Sequence, residues 1–462
     1  MPAAPSRIKV AHVATVDLSL HHLLLDQMLS QKAAGYEVVA VSAPGRHVAA
    51  LEAAGIPHLA VPLTRRLTPL ADLRALFALE HLYRRESFTL VHTHTPKASL
   101  LGQLAARMAG VPVVVDTLHG ILLDERRGLL ARQAILAALK LAARCSHHIL
   151  SQSRADVEIL LAEGVCPAEK IEVLGNGIDL EAFSRPQLDP AERAALHLEL
   201  GFPAGAEVVG FVGRLSVAKG FDHFMAAFSR ALRRRPALHA LIVGEPDTGA
   251  SDPLGPSLAE RLGVAERCRF LGWRSGEEIP RLLSALDVLL LPSVREGFPR
   301  VVMEASALGV PVVASDIRGV REALVPGING LLVPYGDAEG LAEATAGLLA
   351  HPERADWEAT SKDLLVDHSR VERIVQDLLM LARQGEAALR PHEIVNLSGV
   401  RTLEIGRTTQ IKDTNLKDSS MLTQDENIVD VRFSVQYNIA NPVDYLFYNR
   451  TDRGGDEELV TQ

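Results

Sequence analysis

Two glutamates separated by seven residues, Glu296 and Glu304, mark the stretch of this sequence best suited to chemistry. The segment between them opens Gly-Phe-Pro, and proline suits the first position of a helix because its missing N–H would be unpaired there anyway. We therefore predict a helix that begins at Pro299 and is stopped by Gly309. The first backbone N–H groups of such a helix lack partners and lie at the positive end of its dipole, which favours binding of a phosphate. These groups belong to Arg300, Val301 and Val302.

The two glutamates flank this predicted phosphate site, with Glu296 in the preceding loop and Glu304 one turn inside the helix. A phosphate repels a neighbouring carboxylate, so these side chains suit hydrogen bonds from neutral hydroxyl groups on either side of it. A sugar on one side and a ribose on the other would supply such hydroxyls. The alternative is that both are solvated surface charges, as glutamates usually are. The Gly-Phe-Pro opening favours the binding-site hypothesis.

A glycine-bounded loop with two basic side chains follows the apolar run at 208–212. Arg214 and Lys219 lie five residues apart between Gly213 and Gly220, and two cations so placed can neutralise a diphosphate from the side opposite the helix. The spacing is not that of a P-loop, which needs Gly, four residues and then Gly-Lys-Ser or Gly-Lys-Thr. No Asp-x-Asp pair occurs in the chain, so the sequence indicates neutralisation without a metal ion.

Polar residues also follow several strands predicted in the first half of the chain. The carboxyl ends of parallel strands face the ligand cleft of an open sheet, so such residues are placed to meet an acceptor. The candidates on this side are Asp17, His94, Lys97 and His119. A single histidine is more often structural than catalytic, and we keep that interpretation for His92.

Alternating strand-length and helix-length segments must position these residues. Continuous apolar runs are typical of strands buried in parallel sheets, and a polar, proline-marked connector at 186–203 separates two sets of them. The first set lies at 8–14, 37–42, 58–61, 90–94, 111–116, 147–153 and 171–174, with one helix predicted at 20–34. The second set lies at 208–212, 240–243, 269–271, 288–291, 312–314 and 330–333. The pattern predicts an α/β protein whose two parallel sheets face each other across a cleft.

The spacing of Glu296 and Glu304, together with the Gly-Arg…Lys-Gly loop at 213–220, resembles the motifs of retaining family-4 glycosyltransferases of the GT-B fold. The resemblance covers residues 1–390 and is to the subset that assembles capsules and other polysaccharides. It implies two Rossmann-like, doubly wound domains at 1–185 and 204–366. It also implies a last helix at 367–390 that packs back on the first domain.

The resemblance implies a role for each candidate residue. Glu296 would bind hydroxyls of the donor sugar and Glu304 the ribose of the nucleotide. Arg214 and Lys219 would hold the diphosphate, and His119, in a His-Gly pair that matches the family's acceptor-domain motif, would lie near the sugar. The remaining donor-side positions are Glu245 and Leu271 at the nucleobase, and Gly213, Gly297, Phe298, Pro299, Val301 and Val302 around the diphosphate.

For function, the resemblance implies transfer of a sugar, with retention of configuration, from a nucleotide-sugar such as a UDP-sugar. The acceptor would be a glycan or a polyprenyl-diphosphate-linked glycan in surface polysaccharide biosynthesis, and no metal or further cofactor is expected. A nucleotide-sugar epimerase of the same fold, which needs no acceptor, is one alternative. A membrane-protease scaffold that acts through the C-terminal tail is another.

Net charge, cysteine spacing and hydropathy exclude several classes of function. The 462 residues carry a net charge of −9 with pI near 6.0, so there is no basic surface for nucleic acid. Three cysteines, far apart in the chain, predict neither a cysteine metal site nor a disulfide framework. The start lacks the apolar core of a signal peptide and no segment is apolar enough to span a membrane, so we expect a cytoplasmic protein. Residues 125–144 carry five basic side chains at helical spacing, typical of a helix on the cytoplasmic membrane or of an ordinary helix with a solvated face.

Residues 391–462 differ from the rest of the chain. Asparagine occurs twice in the first 390 residues and six times in these 72. The run 429–439 alternates apolar and polar residues, which predicts a strand with one solvated face in an α+β or β-rich segment. The segments 393–397, 422–427 and 444–447 resemble the start of the stomatin/prohibitin-type (SPFH) domain of HflK proteins. We interpret the segment as a fused fragment without activity of its own.

Overall fold

The computed structural model describes residues 8–66, 68–121, 123, 128–183, 188–247 and 254–350, and short segments at 401–405, 420–422, 428–430 and 433–437. The chain divides into two compact units, Met1–Val371 and Glu372–Gln462. The helix predicted at 367–390 lies outside the described residues.

A seven-stranded parallel sheet forms the first domain. Its order is β3-β2-β1-β4-β5-β6-β7. The strands are β1 Lys9–Val16, β2 Glu37–Ala43, β3 His58–Ala60, β4 Leu90–Thr93, β5 Val113–Leu118, β6 His148–Ser151 and β7 Ile171–Val173. Each overlaps one of the predicted strands, because continuous apolar runs form strands that are covered by helices on both faces.

The helices of the first domain cover the two faces of this sheet through separate hydrophobic clusters. They are α1 Asp17–Leu23, α2 Leu25–Ala33, α3 Val48–Ala53, α4 Pro69–Glu86, α5 Pro96–Ala109, α6 Leu129–Cys145 and α7 Arg154–Ala162. The short helix α8 Leu180–Phe183 follows β7 in the chain, but its Phe183 packs in the core of the second domain. The single helix predicted at 20–34 is wrong. The segment starts earlier and breaks at Leu24, whose backbone leaves the helical region (φ −125°, ψ −5°) while its side chain packs with Leu20 and Met28 in the core.

The second domain repeats the architecture with six parallel strands in the order β10-β9-β8-β11-β12-β13. These are β8 Glu207–Val212, β9 Leu238–Val243, β10 Cys268–Gly272, β11 Val288–Leu291, β12 Val312–Ser315 and β13 Gly330–Val333. Its helices are α9 Pro190–Glu199, α10 Phe221–Arg234, α11 Pro256–Arg261, α12 Ile279–Leu283, α13 Arg300–Ala307, α14 Arg318–Ala323 and α15 Ala338–Ala350. The predicted two-domain α/β fold is therefore confirmed.

The connector predicted at 186–203 contains the helix α9. Asp189 caps this helix, accepting from the amide of Glu192, while the Glu192 side chain accepts from the Asp189 amide. Leu196 and Phe202 are buried in the core of the second domain. A polar segment with prolines is typical of a connector, but the same residues are also features of helix starts. The sequence pattern therefore did not reveal this helix.

In both sheets the strand order reverses beside the first strand of the domain, between β1 and β4 and between β8 and β11. Ligands of doubly wound sheets bind outside the carboxyl ends of the strands at such points. The loops after β1, β4, β5, β8 and β11 carry most of the candidate residues, so the topology gathers them at the two switch points.

The second unit contains two antiparallel strand pairs among its described residues. β14 (Arg401–Ile405) pairs with β17 (Phe433–Tyr437), and β15 (Ser420–Leu422) pairs with β16 (Ile428–Asp430). Strand β17 falls within the single strand predicted at 429–439, and β16 overlaps the start of that run. The resemblance to an SPFH domain is tested by nothing in these segments and stays a prediction.

Candidate active site

The predicted phosphate-binding helix is α13, and it begins one residue later than expected. Pro299 is the residue before the helix (φ −76°, ψ 107°), and the amide of Val302 donates to its carbonyl at 3.1 Å. The amides of Arg300 and Val301 find no hydrogen-bond acceptor among the described residues. Two of the three predicted N–H groups thus remain for an anion at the positive end of the helix.

Lys219 and Glu296, which we predicted to serve different parts of a ligand, contact each other. The Lys219 Nζ lies 2.8 Å from both carboxylate oxygens of Glu296, and Ser293 Oγ donates to Oε1 at 2.7 Å. The Glu296 side chain is 9% exposed and that of Lys219 34%. Ammonium and carboxylate therefore act as one unit, in which each holds the other's position.

The loops that carry Lys219 and Glu296 pack closely against each other through their backbones. Gly220 has φ +70°, and a Cβ there would lie 1.9 Å from the Pro292 carbonyl oxygen, so only glycine fits. The Val294 amide donates to the Ala218 carbonyl at 3.1 Å. The loop after β8 is thereby fixed against the loop after β11, as the predicted diphosphate site requires. Arg214, in the same loop, lies 3.3 Å from Asp247.

Glu304 lies one turn into α13, as predicted. Its side chain is 14% exposed, and Arg300 Nε is 3.7 Å from its Oε1. Burial raises the pKa of Glu304, with Arg300 acting in the opposite direction. A carboxyl group in so dry a position favours hydrogen bonds to neutral partners.

Glycines bring the two domains into contact beside the Lys219–Glu296 pair. A Cβ on Gly297 would lie 2.3 Å from the carbonyl oxygen of His119, and one on Gly120, at φ +113°, would lie 2.9 Å from the Gly297 Cα. Within the second domain, a Cβ on Gly319 of α14 would lie 2.2 Å from the Gly297 carbonyl oxygen. The predicted His-Gly pair of the first domain and the Glu-Gly-Phe-Pro loop of the second therefore form one site.

His119 is partly exposed, and the burial of its ring lowers the pKa of His119 to about 4, opposed by a hydrogen bond with Gln152. His119 is therefore a neutral ring near pH 7, which can donate or accept one hydrogen bond at each nitrogen. Its Nε2 lies 3.5 Å from Nδ1 of His94.

The predicted nucleobase residues differ in their surroundings. Glu245 follows β9, and its carboxylate pairs with Arg46 of the first domain at 2.7 Å, with both side chains well exposed. Leu271, in β10, packs its side chain against the core of the second domain. Of these two residues, Glu245 is therefore the one that presents a polar side chain between the domains.

Two of the predicted acceptor-side residues, Lys97 and Asp17, bond to other residues of the first domain. Lys97 donates to Thr64 Oγ1 at 2.9 Å, to Asp72 Oδ1 at 2.6 Å and to the Arg66 carbonyl. Asp17 is 6% exposed and accepts from the His47 amide at 2.7 Å. Both charges thus stabilise neighbouring loops of the first domain, a use that strand-end position alone did not reveal.

Further polar contacts between the domains were missed from sequence. Glu322 of α14 accepts from the amides of Arg154 and Ala155 at 2.7 and 3.0 Å, and also from the Ser153 hydroxyl. Arg318 lies 3.1 Å from Asp156. In addition, Asn176 Nδ2 donates to the Phe298 carbonyl at 3.1 Å. The sequence carries no spacing signal for these partners, because they are more than 120 residues apart.

Comparison with known proteins agrees with this arrangement. Residues 23–177 match the family model described as a glycosyl transferase 4-like domain, and residues 206–351 match that of glycosyl transferases group 1. The chain is 30% identical over 286 residues to the UDP-Gal:alpha-D-GlcNAc-diphosphoundecaprenol alpha-1,3-galactosyltransferase of Escherichia coli, covering 61% of this chain and 72% of that protein. This chain belongs to the group 1 glycosyltransferase family. The resemblance of the two motifs to those of glycosyltransferases is thereby confirmed at the level of family and enzyme class.

Two further proteins resemble this glycosyltransferase over most of its length. The capsular polysaccharide biosynthesis glycosyltransferase CapM of Staphylococcus aureus is 26% identical over 346 residues, or 74% of this chain and 87% of CapM. The crystal structure of Anabaena Alr3699/HepE in complex with UDP-glucose superposes with a TM-score of 0.66 at 25% identity, covering 81% of this chain and all of HepE. Among the residues described, no helix is both long and apolar enough to cross a membrane.

Proposed function

We propose that this glycosyltransferase transfers a sugar from a UDP-sugar to a glycan or polyprenyl-diphosphate-linked acceptor, in the biosynthesis of a surface polysaccharide. The observation that carries the donor side is the start of α13, where the amides of Arg300 and Val301 lie in the same loop system as the Lys219–Glu296 pair. The names of similar proteins support the details: HepE binds UDP-glucose, and the Escherichia coli enzyme uses UDP-Gal and a diphosphoundecaprenol acceptor.

In this proposal each charge has a separate task. The diphosphate accepts hydrogen bonds from the two amides of α13, and Lys219 and Arg214 neutralise the charge that develops on it as the glycosidic bond breaks. Glu296 keeps the Lys219 ammonium in place and accepts hydrogen bonds from hydroxyls of the donor sugar. Glu304, whose pKa burial raises, hydrogen-bonds the ribose. These groups supply the electrostatic stabilisation without a metal ion.

Retention follows if the acceptor attacks from the side on which the nucleotide leaves. The departing diphosphate oxygen then takes the acceptor proton, so no side chain has to act as a nucleophile. His119, a neutral ring held at the Gly297 contact, hydrogen-bonds the donor sugar from the first domain.

Replacement of Lys219 tests the donor site. Lys219→Ala leaves Glu296 without its cation and removes a charge from the diphosphate, so we expect nucleotide release to fall by about 10²-fold or more. The measurement is release of UDP, GDP or ADP from a panel of nucleotide-sugars, with and without undecaprenyl-diphosphate-linked acceptors. Lys32→Ala, an exposed lysine bonded to the Gly55 carbonyl, is the matched control.

Wild-type release from a UDP-sugar that depends on acceptor, and that is lost in Lys219→Ala alone, is the expected result. Near-normal rates in both Lys219→Ala and Glu296→Ala would overturn the assignment of the site. A change of the sugar without any acceptor would indicate the epimerase instead.

We also propose that the first domain contacts the cytoplasmic membrane, where a polyprenyl-linked acceptor resides. Leu70, Leu73 and Phe77 of α4 are 79%, 51% and 53% exposed, and the basic residue Arg74 is exposed among them. The α6 helix, whose Leu130 is 87% exposed, packs against α5, as α4 does. Apolar side chains beside basic ones suit an anionic lipid surface.

Vesicle flotation tests this contact. Phe77→Glu replaces an aromatic ring, which this proposal places in the lipid, by a negative charge. We therefore expect binding to phosphatidylglycerol vesicles to weaken about tenfold. Leu198→Glu on α9, 63% exposed in the wild type, is the control and should bind as the wild type does. Equal binding of both variants would refute the assignment of this face.

A further inference from the structure

Three histidines meet inside the first domain, on two adjacent strands. His12 of β1 and His92 of β4 are register partners in the parallel pair, and His94 follows His92 by two residues, on the same side of the sheet. All three are at most 2% exposed. Each offers one imidazole nitrogen, and these three atoms lie within 4.8 Å of one another. Three buried imidazoles this close together could share one metal ion.

Each ring has a partner for its outer nitrogen. His12 Nε2 lies 2.7 Å from Gln31 Oε1, and His92 Nε2 lies 2.7 Å from Thr117 Oγ1. His94 Nδ1 lies 3.5 Å from His119 Nε2. Histidines that ligate a metal usually have their second nitrogen hydrogen-bonded in this way, which fixes the tautomer and the ring orientation.

The inner nitrogens are less well satisfied. His92 Nδ1 is buried and has no hydrogen-bond partner among the described residues. His12 Nδ1 and His94 Nε2 lie 2.9 Å apart, so a hydrogen bond between them leaves the His92 nitrogen unpaired whichever ring donates. A buried polar atom without a partner costs free energy. One cation placed among the three nitrogens would satisfy all of them.

The spacing also suits a cation. Histidine binds a metal ion through a ring nitrogen of its neutral imidazole. Tetrahedral zinc with Zn–N bonds of about 2.0–2.1 Å sets its nitrogens about 3.3 Å apart. The observed separations, from 2.9 Å to at most 4.8 Å, bracket that value.

We propose that His12, His92 and His94 bind a divalent transition-metal ion of the Zn²⁺ class. Neutral imidazoles select zinc, copper, nickel or iron over magnesium and calcium, which prefer oxygen ligands. The ion joins β1 to β4 and, through His94, adjoins His119 of the candidate active site. It lies in the first domain, apart from the diphosphate site at α13, and goes beyond the proposed glycosyl transfer.

Metal analysis of the full chain tests this site. The protein is stripped with a chelator, loaded with one equivalent of Zn²⁺ or Co²⁺, and passed through a desalting column. We expect one retained ion per chain, tetrahedral Co²⁺ absorption in the visible region, and X-ray absorption scattering from three imidazoles. A wild type that retains no ion, or an ion with fewer than three imidazole ligands, overturns the proposal, and this result depends on no variant.

Variants locate the ion. His92→Ala removes one ligand and should abolish retention, while Gln31→Leu removes only an outer partner and should weaken binding about 10–100-fold. The control is His22→Ala, because His21, His22 and His47 form a second, partly exposed group able to hold a metal ion. Loss of the ion in His22→Ala with retention in His92→Ala would assign it to that group and overturn the proposal. Circular dichroism of each variant establishes that it is folded.

Discussion

Two helices begin at the contact between the domains, and their first turns differ. At α7 the amides of Arg154 and Ala155 both donate to Glu322, and the Ser153 hydroxyl accepts from the Asp156 amide at 3.1 Å. At α13 no side chain caps the helix, and the first two amides have no acceptor among the described residues. Both starts carry the same partial positive charge. One is neutralised by the protein's own carboxylate, and the other is the site that we assign to a diphosphate.

The comparison separates domain contact from ligand binding. Glu322 comes from the second domain and α7 from the first, so this filled start helps to hold the domains together, with Arg318 and Asp156 as a second link. The uncapped start belongs to the domain that carries Lys219 and Glu296. In our proposal, the helix start without a side-chain cap binds the substrate, and the capped start joins the domains.

The largest effect is expected from obstructing the uncapped start. Gly297→Ala places a Cβ 2.3 Å from the His119 carbonyl oxygen, so the two loops must separate. Because displacement of about 1 Å can cost 10²-fold in rate, we expect nucleotide release to fall about 10²-fold. Gly128→Ala should keep the wild-type rate, because φ is −58° there and the added Cβ meets no atom within 4 Å among the described residues beyond its chain neighbours. Equal rates in the two variants would show that the close approach of these loops is dispensable.

Reversing the charge at the filled start should have an intermediate effect. Glu322→Lys puts a cation where amides donate, and the helix dipole then repels it. We expect the domains to separate, with a larger radius of gyration in X-ray scattering and about tenfold lower activity. Glu322→Gln keeps one acceptor and should fall between this variant and the wild type.

Glu260→Lys on α11 is the control for charge alone, since that side chain is exposed. If Glu322→Lys scatters as the control does, the filled start does not hold the domains, and the contrast between the two helices is lost.

The smallest effect is expected at the cap itself. Ser153→Ala removes the hydroxyl that accepts from the Asp156 amide, and loss of an N-cap costs about 1 kcal/mol of unfolding free energy. This corresponds to a fall of about 2–4 °C in melting temperature for a domain of this size. Ser257→Ala, an exposed position within α11, should melt as the wild type does. An unchanged melting temperature in Ser153→Ala would mean that Glu322 alone satisfies this helix start.

Much of the fold was predictable because its signals are local. All 13 strands of the two sheets overlap predicted ones, since continuous apolar runs are a property of neighbouring residues. The helix α13 was predictable for the same reason, because Pro299 and Gly309 bracket it in the sequence. The break at Leu24 and the helix α9 were missed, because core packing decided the first and a capping box within a polar segment concealed the second.

The candidate site was predicted only in part, because the sequence names side chains without assigning their partners. Lys97 and Asp17 lie near strand ends as expected, yet both bond to loops of their own domain. His12 drew no attention as one histidine in an apolar strand, and only the register between β1 and β4 sets it beside His92. Polar residues at strand ends are therefore candidates whose use depends on what the rest of the chain brings near them.

By itself the sequence determined the two parallel sheets, the position of α13 and the family to which its two motifs belong, because each depends on residues close together in the chain. Only the tertiary structure decided that Lys219 binds Glu296, that Glu322 fills the start of α7 and that three histidines, one of them 3.5 Å from His119, come together. These contacts of Lys219 and Glu322 join residues from 77 to 169 positions apart. Their partners are chosen by sheet order and domain packing, which no local pattern encodes.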